Sequence, residues 1–71
     1  MIHSDFYKLL GQNISKRRRE LGLTQQELAE KLDISLNFMG KIEVAFSKPS
    51  LDTLISIENC LDISVSDLCK F

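Results

Sequence analysis

Four consecutive cations, Lys16-Arg17-Arg18-Arg19, are the densest concentration of chemistry in the sequence, and Lys8 stands upstream of them. Guanidinium and ammonium groups at that density can neutralise phosphate, or they can form a solvated helix face. The other reactive side chains are sparse. Cys60 and Cys69 are the only cysteines and His3 the only histidine, with no Cys-x-x-Cys spacing, so no metal set is expected and zinc least of all. The two cysteines are read as reduced, packed thiols, with a disulfide between them as the alternative. There is no His/Cys pair in a plausible catalytic site, no glycine-rich phosphate loop and no sign of a cofactor, and His3 is read as a surface residue. An enzyme is the poorest reading of this chain.

The net charge of −1 argues against a polyanion as partner, but its distribution does not. Asp52, Glu58, Asp62 and Asp67 load the C-terminal third with acid, opposite in sign to the run at 16–19. The expected molecule is polar, with one face able to meet phosphate and another that repels it.

What must position these groups is one small domain spanning residues 1–71. At that size about 60% of the unfolded surface is buried and stability is marginal. No apolar run approaches the roughly 18 residues that cross a bilayer, and the first residues lack a basic leader followed by an apolar stretch. A cytoplasmic protein that avoids membranes is expected.

Helix boundaries are written in caps, and strand signals are absent, so the fold class is all-α. Ser4 is placed to cap a first helix with Phe6, Leu10, Ile14 and Leu21 on one face and the stem of Arg17 along it. Gly11 inside that helix costs about 1 kcal/mol against alanine, which implies that another helix packs close there. Gly22 ends the helix. Thr24-Gln25-Gln26-Glu27 then reads as a capping box that starts a second helix through Leu28, Ala29 and Leu32. It stops at Asp33-Ile34, and Ser35 caps a third helix with Met39 and Ile42 inward. So short a connection forces the two helices to cross at a sharp angle. After the loop from Ala45 to Pro49, Ser50 caps a fourth helix with Leu51, Leu54, Ile57 and Leu61 on one side. Ser64-Val65-Ser66-Asp67 opens a short fifth, with Leu68 inward and Phe71 at its end.

The tetrapeptide Leu-Asp-Ile-Ser occurs at 32–35 and again at 61–64. Each copy is expected to end one helix and cap the next, with its isoleucine in the core. Its aspartate takes the left-handed position where glycine is usual, at a cost of about 1–2 kcal/mol at most. The flanking segments do not match, so this is not read as an ancestral repeat.

Ile14 with Arg18, the stretch Leu21-Gly22-Leu23-Thr24-Gln25-Gln26-Glu27-Leu28-Ala29-Glu30-Lys31-Leu32, then Ile34-Ser35, Lys41-Ile42-Glu43, Pro49-Ser50-Leu51 and Leu54 follow one another in an order and spacing that chance explains poorly. On these parts the chain, from Leu10 to Leu68, resembles the lambda-repressor and Cro-like helix-turn-helix regulators, the XRE family. The resemblance implies a compact five-helix lambda-repressor-like DNA-binding domain, with the helix-turn-helix proper at about residues 24–44. It makes the helix after Ser35 the recognition helix, with Ser35, Leu36, Asn37 and Lys41 toward the bases. Asn37 can pair with adenine, Lys41 with guanine acceptors or a phosphate, and Leu36 can meet only an apolar group such as a thymine methyl. Gln25 and its amide, Arg18, Ser47 and Lys48 are the implied phosphate contacts. Glu43 is implied to be structural and paired with Arg18, a role that competes with phosphate for the arginine. Three departures from the family pattern stand out: Asp33 for a turn glycine, Leu36 for a polar residue, and Val44-Ala45-Phe46 for a polar, glycine-containing turn. Phe46 is expected to fold back over Ile42 and Leu54 as a lid on the core; a partner interface is the alternative.

The leading functional expectation is a transcriptional regulator that binds a near-palindromic operator in double-stranded DNA as a homodimer, because one small domain offers few base contacts. The dimer surface is expected around Val65, Leu68 and Phe71. A protein-binding or antitoxin-like module on the same fold, with weak DNA contact, is the competing expectation, supported by the acidic pI of about 5.7, Leu36 and Phe46.

Overall fold

A computed structural model describes the backbone from residue 3 and side chains from residue 5 to residue 71. In chain order the helices are α1 (His3–Glu20), α2 (Gln25–Leu32), α3 (Leu36–Glu43), α4 (Leu51–Leu61) and α5 (Val65–Leu68). No strand occurs among the described residues, as the all-α reading requires. Ser4 falls inside α1 and not before it; its side chain and that of His3 lie outside the described residues, and so do the roles expected of them.

Four of the helices end alike. In each, the chain turns through a left-handed residue while the amide of the residue after it reaches back to an orphan carbonyl. The bonds are Leu23 N–H to Arg18 O (3.0 Å), Ile34 to Ala29 (3.0 Å), Phe46 to Lys41 (2.8 Å) and Ile63 to Glu58 (3.3 Å). Gly22 (φ 74°) is the one glycine in that role; Asp33 (φ 56°) and Asp62 (φ 50°) take it as the repeated tetrapeptide predicts. Ala45 (φ 63°) takes it as well, which the sequence did not announce.

Helix starts are equally regular. Thr24 and Glu27 form the reciprocal capping box, and the hydroxyls of Ser35, Ser50 and Ser64 accept from the amides three residues on. The core is drawn from every helix: Leu10 and Ile14, Leu28 and Ala29, Met39 and Ile42, Ile57 and Leu61, and Leu68, all at most 1% exposed. Gly11 is the close approach that its cost implied, since a Cβ there would lie 2.6 Å from the carbonyl oxygens of Ile42 and Glu43. Only glycine lets α1 lie against the end of α3.

Three apolar side chains expected inside are outside. Leu21 is exposed because α1 ends at Glu20 and the chain turns there, and Leu51, 70% exposed, stands at the first position of α4, beyond the rim of the core. Phe46 is not a lid: at 78% exposed it projects outward, because the left-handed turn at Ala45 swings it away from Ile42. Cys60 and Cys69 are free, half-buried thiols, and burial pushes the Cys69 thiol up from its ordinary value.

Candidate nucleic-acid interface

The corner at Asp33 sends α3 across α2 with Met39 and Ile42 buried, so Leu36, Asn37, Gly40, Lys41 and Val44 form the opposite, outward stripe. Ser35, Leu36 and Asn37 are exposed. Ser35 Oγ accepts from the Phe38 amide at 3.0 Å, which spends the hydroxyl on the cap and leaves the first turn pointing into solvent. No acidic residue lies in that turn, so the positive end of the helix dipole there is unopposed within α3. Lys41 is half-buried, with its Nζ 5.5 Å above the Phe46 ring. A cation over a ring face is held by the quadrupole, and Phe46 thereby steadies the one cation of α3's outward stripe.

Behind α3 sits a buried ion pair. Arg18 Nε donates to Glu43 Oε2 at 2.7 Å and its Nη2 to Oε1 at 3.1 Å, while Nη1 donates to Leu23 O at 2.8 Å. Gln25 Nε2 adds a third bond to the carboxylate, at 3.0 Å. Burial pushes the Glu43 carboxyl up, but the hydrogen bonds of Arg18 and Gln25, the Arg18 charge and Ser15 outweigh it and hold the group below the usual glutamate range. One carboxylate thus ties α1, the start of α2 and the end of α3 together, which is the structural role the resemblance implied for it.

That pairing corrects two expected phosphate contacts. The Arg18 side chain is only 11% exposed and wholly engaged, so it positions α3 and does not face solvent as a phosphate ligand. The Gln25 side chain is likewise turned inward, while its backbone amide stands at the first position of α2, where no intrahelical acceptor exists. Ser47 is half-buried and Lys48 exposed in the loop directly after α3, with Lys48 Nζ 5.3 Å from the Tyr7 ring.

The basic run is dispersed more than its spelling suggests. Arg17 donates to Leu61 O at 2.9 Å and Asp62 O at 3.3 Å, stitching α1 to the end of α4. Lys16 lines a depression with Glu20, Asp67 and Lys70, on the α5 side of the molecule and away from α3. Of the expected dimer surface, Leu68 is 0% exposed and belongs to the core, because the short α5 must bury one side chain to dock at all. Val65 is half-buried and Phe71 is 47% exposed, its ring 5.6 Å from that of Phe6.

One residue of the outward stripe escaped the sequence reading, Gly40; Val44, one of the departures from the family pattern, stands there as a 73% exposed apolar side chain. The signal for Gly40 was a helix-weakening residue one turn from Leu36, on the face opposite Met39. Among the described residues no cluster could hold a metal ion, and no helix is long and apolar enough to cross a membrane.

A capped helix joined to its neighbour through a three-residue corner, braced from behind and bare in front, is a helix-turn-helix, and the helix-turn-helix family profile matches residues 14–68. The chain belongs to the XRE-type helix-turn-helix family of transcriptional regulators. An HTH-type transcriptional regulator of Sinorhizobium fredii, y4dJ, is 33% identical over 90% of this chain and 83% of its own length. The immunity repressor of Bacillus phage phi105 is 42% identical over 80% of this chain and 40% of its own length. The chain spans about half the length of the first curated relatives it matches. Among solved structures, the biofilm master regulator SinR in complex with DNA superposes with a TM-score of 0.79 at 34% identity, covering 86% of this chain and 98% of that one. The XRE-type assignment carries the non-enzymatic reading: the family and the matched relatives are regulators.

Proposed function

We propose that this XRE-type domain binds double-stranded DNA sequence-specifically in the cytoplasm and regulates transcription, as a homodimer on a near-palindromic operator. One observation carries the reading: the first turn of α3 projects outward, free of acid, on a helix anchored by Met39, Ile42 and the Arg18–Glu43 pair. Ser35, Leu36, Asn37 and Lys41 then face the bases, with the amide of Gln25, Ser47 and Lys48 on the backbone. The dimer would join through Val65 and Phe71, since two linked half-sites supply the affinity that one short helix cannot.

Selection of duplexes from a random-sequence library, followed by fluorescence anisotropy over a salt series, tests this. Enrichment of an inverted repeat is expected, with binding that weakens as salt rises by a slope of about −0.9 per phosphate neutralised. Micromolar binding without sequence preference, indifferent to changing Asn37 and Lys41 to alanine, would refute it. The second reading, a protein-binding module, draws support from the exposure of Val44 and Phe46 beside Leu36. It predicts that Phe46→Ala abolishes association with a protein partner and leaves DNA affinity as it was.

A further inference from the structure

The three glycines of the chain divide into two that the fold needs and one that it does not. Gly11 is required by the approach of Ile42 and Glu43, and Gly22 by its left-handed backbone. Gly40 has neither reason. It lies in the middle of α3 without a positive φ, and a Cβ built there would meet only Gln25 Oε1, at an ordinary 3.9 Å. Glycine is the poorest residue after proline for a helix interior, so a helix of eight residues carries a weakness that packing does not demand.

Its surroundings supply a reason from outside. Gly40 is the floor of a shallow notch whose ends are Leu36 and Val44, one turn to either side, with Phe46 closing the rim. Asn37 and Lys41 are the polar members of the same lining. A missing Cβ lets another molecule approach the backbone closely, and three exposed apolar walls favour an apolar group at the point of approach. The notch is continuous with the face assigned to DNA, and Lys41 at its edge suits a polyanion. The major-groove edge of DNA carries one apolar group, the C5-methyl of thymine.

We infer that Gly40 is a specificity-determining residue, the floor of an apolar notch on α3 that receives a thymine methyl. This rests on the DNA-binding reading and sharpens it: the half-site contains a thymine whose methyl is read, beside the bases faced by Asn37 and Lys41. Leu36 and Val44 are the walls and Phe46 the brace, which also explains why the turn after α3 is apolar.

The test uses the duplex recovered from the random-sequence selection, resynthesised with deoxyuridine in place of each thymidine in turn, with the wild-type chain and Gly40→Ala. Gly40→Ala is expected to melt higher, by about 4 °C or more, since alanine favours the helix and fits. It is expected to lose about tenfold in affinity for the selected duplex, the scale of one spoiled base contact, with binding to a scrambled duplex unchanged. Removing the methyl at one thymine per half-site is expected to weaken the wild-type chain about fourfold and to leave Gly40→Ala indifferent. A lower melting point for Gly40→Ala would mean that the fold requires this glycine, and overturns the inference. So does enrichment of a duplex to which both uracil and Gly40→Ala are immaterial, which would leave the apolar stripe to a protein partner while sparing the DNA reading. Failure to enrich any duplex would remove both.

Discussion

At 32–35 and again at 61–64 the same four residues, Leu-Asp-Ile-Ser, end a helix, turn through a left-handed aspartate and cap the next helix with serine. The corners match: φ is 56° at Asp33 and 50° at Asp62. The helices beyond them do not. The first corner opens α3, eight residues long, with no acid in its first turn and Leu36 and Asn37 turned outward. The second opens α5, four residues long, with Asp67 in the first turn, Leu68 buried, and the Val65 amide bonded to Glu58 at 2.8 Å. A corner is therefore a local matter of caps and chirality. Whether the next helix offers a surface is decided by its length, its charge and what braces it from behind.

The brace is where the two regions differ most in energy. Arg18→Ala would leave the Glu43 carboxylate buried and unpaired behind α3, at a cost of about 3 kcal/mol or more, seen as a lowered urea midpoint. The matching cation beside α5, Lys70, pairs with Asp67 at 2.8 Å in full solvent, and Lys70→Ala should leave the midpoint unchanged. Acid probes the same contrast. Because the folded Glu43 carboxyl sits below its ordinary range, its contribution is complete above the unfolded titration and is lost as pH falls through the folded value. The urea midpoint should thus fall on acidification below about pH 4, less steeply in Glu43→Gln.

Next in size is the effect on DNA. Asn37→Ala and Lys41→Ala should each weaken the selected duplex by about 1–3 kcal/mol, measured by anisotropy, with stability held. Lys70→Ala should not. Equal losses from both ends of the molecule would erase the distinction between a reading helix and a docking one.

The smallest effects concern the corners themselves. Ala45→Gly should raise stability by about 1 kcal/mol, and Asp33→Gly and Asp62→Gly by less than that, because a short polar side chain tolerates the left-handed region better than alanine. Thermal melts check this. Unequal shifts at 33 and 62 would show that the two corners are not the same object.

These contrasts also explain what could be read in advance. Caps at Thr24, Ser35, Ser50 and Ser64, and the left-handed Asp33 and Asp62, depend on groups three or four residues apart, so the sequence states them outright. The close approach at Gly11 was legible because it breaks a local preference. Phe46 was misplaced because its direction hangs on one backbone angle at Ala45, a residue that does not advertise positive φ. Leu51 was misplaced because helical spacing says which face a residue shares and not how far the core extends along the helix. The inward turn of Gln25 toward Glu43 joins residues 18 positions apart, which no local pattern encodes. The apolar pattern marks Leu68 equally for the core and for a dimer surface, and a helix of four residues can serve only the first.

The sharpest single measurement is an amide-resolved NMR titration of the chain with the selected duplex. If α3 reads DNA, the largest shifts will fall at Gln25, Ser35, Leu36, Asn37, Gly40, Lys41, Ser47 and Lys48, with those at Asp67 and Lys70 smaller. Shifts centred on α5, or saturable binding that leaves the α3 amides where they were, would contradict it.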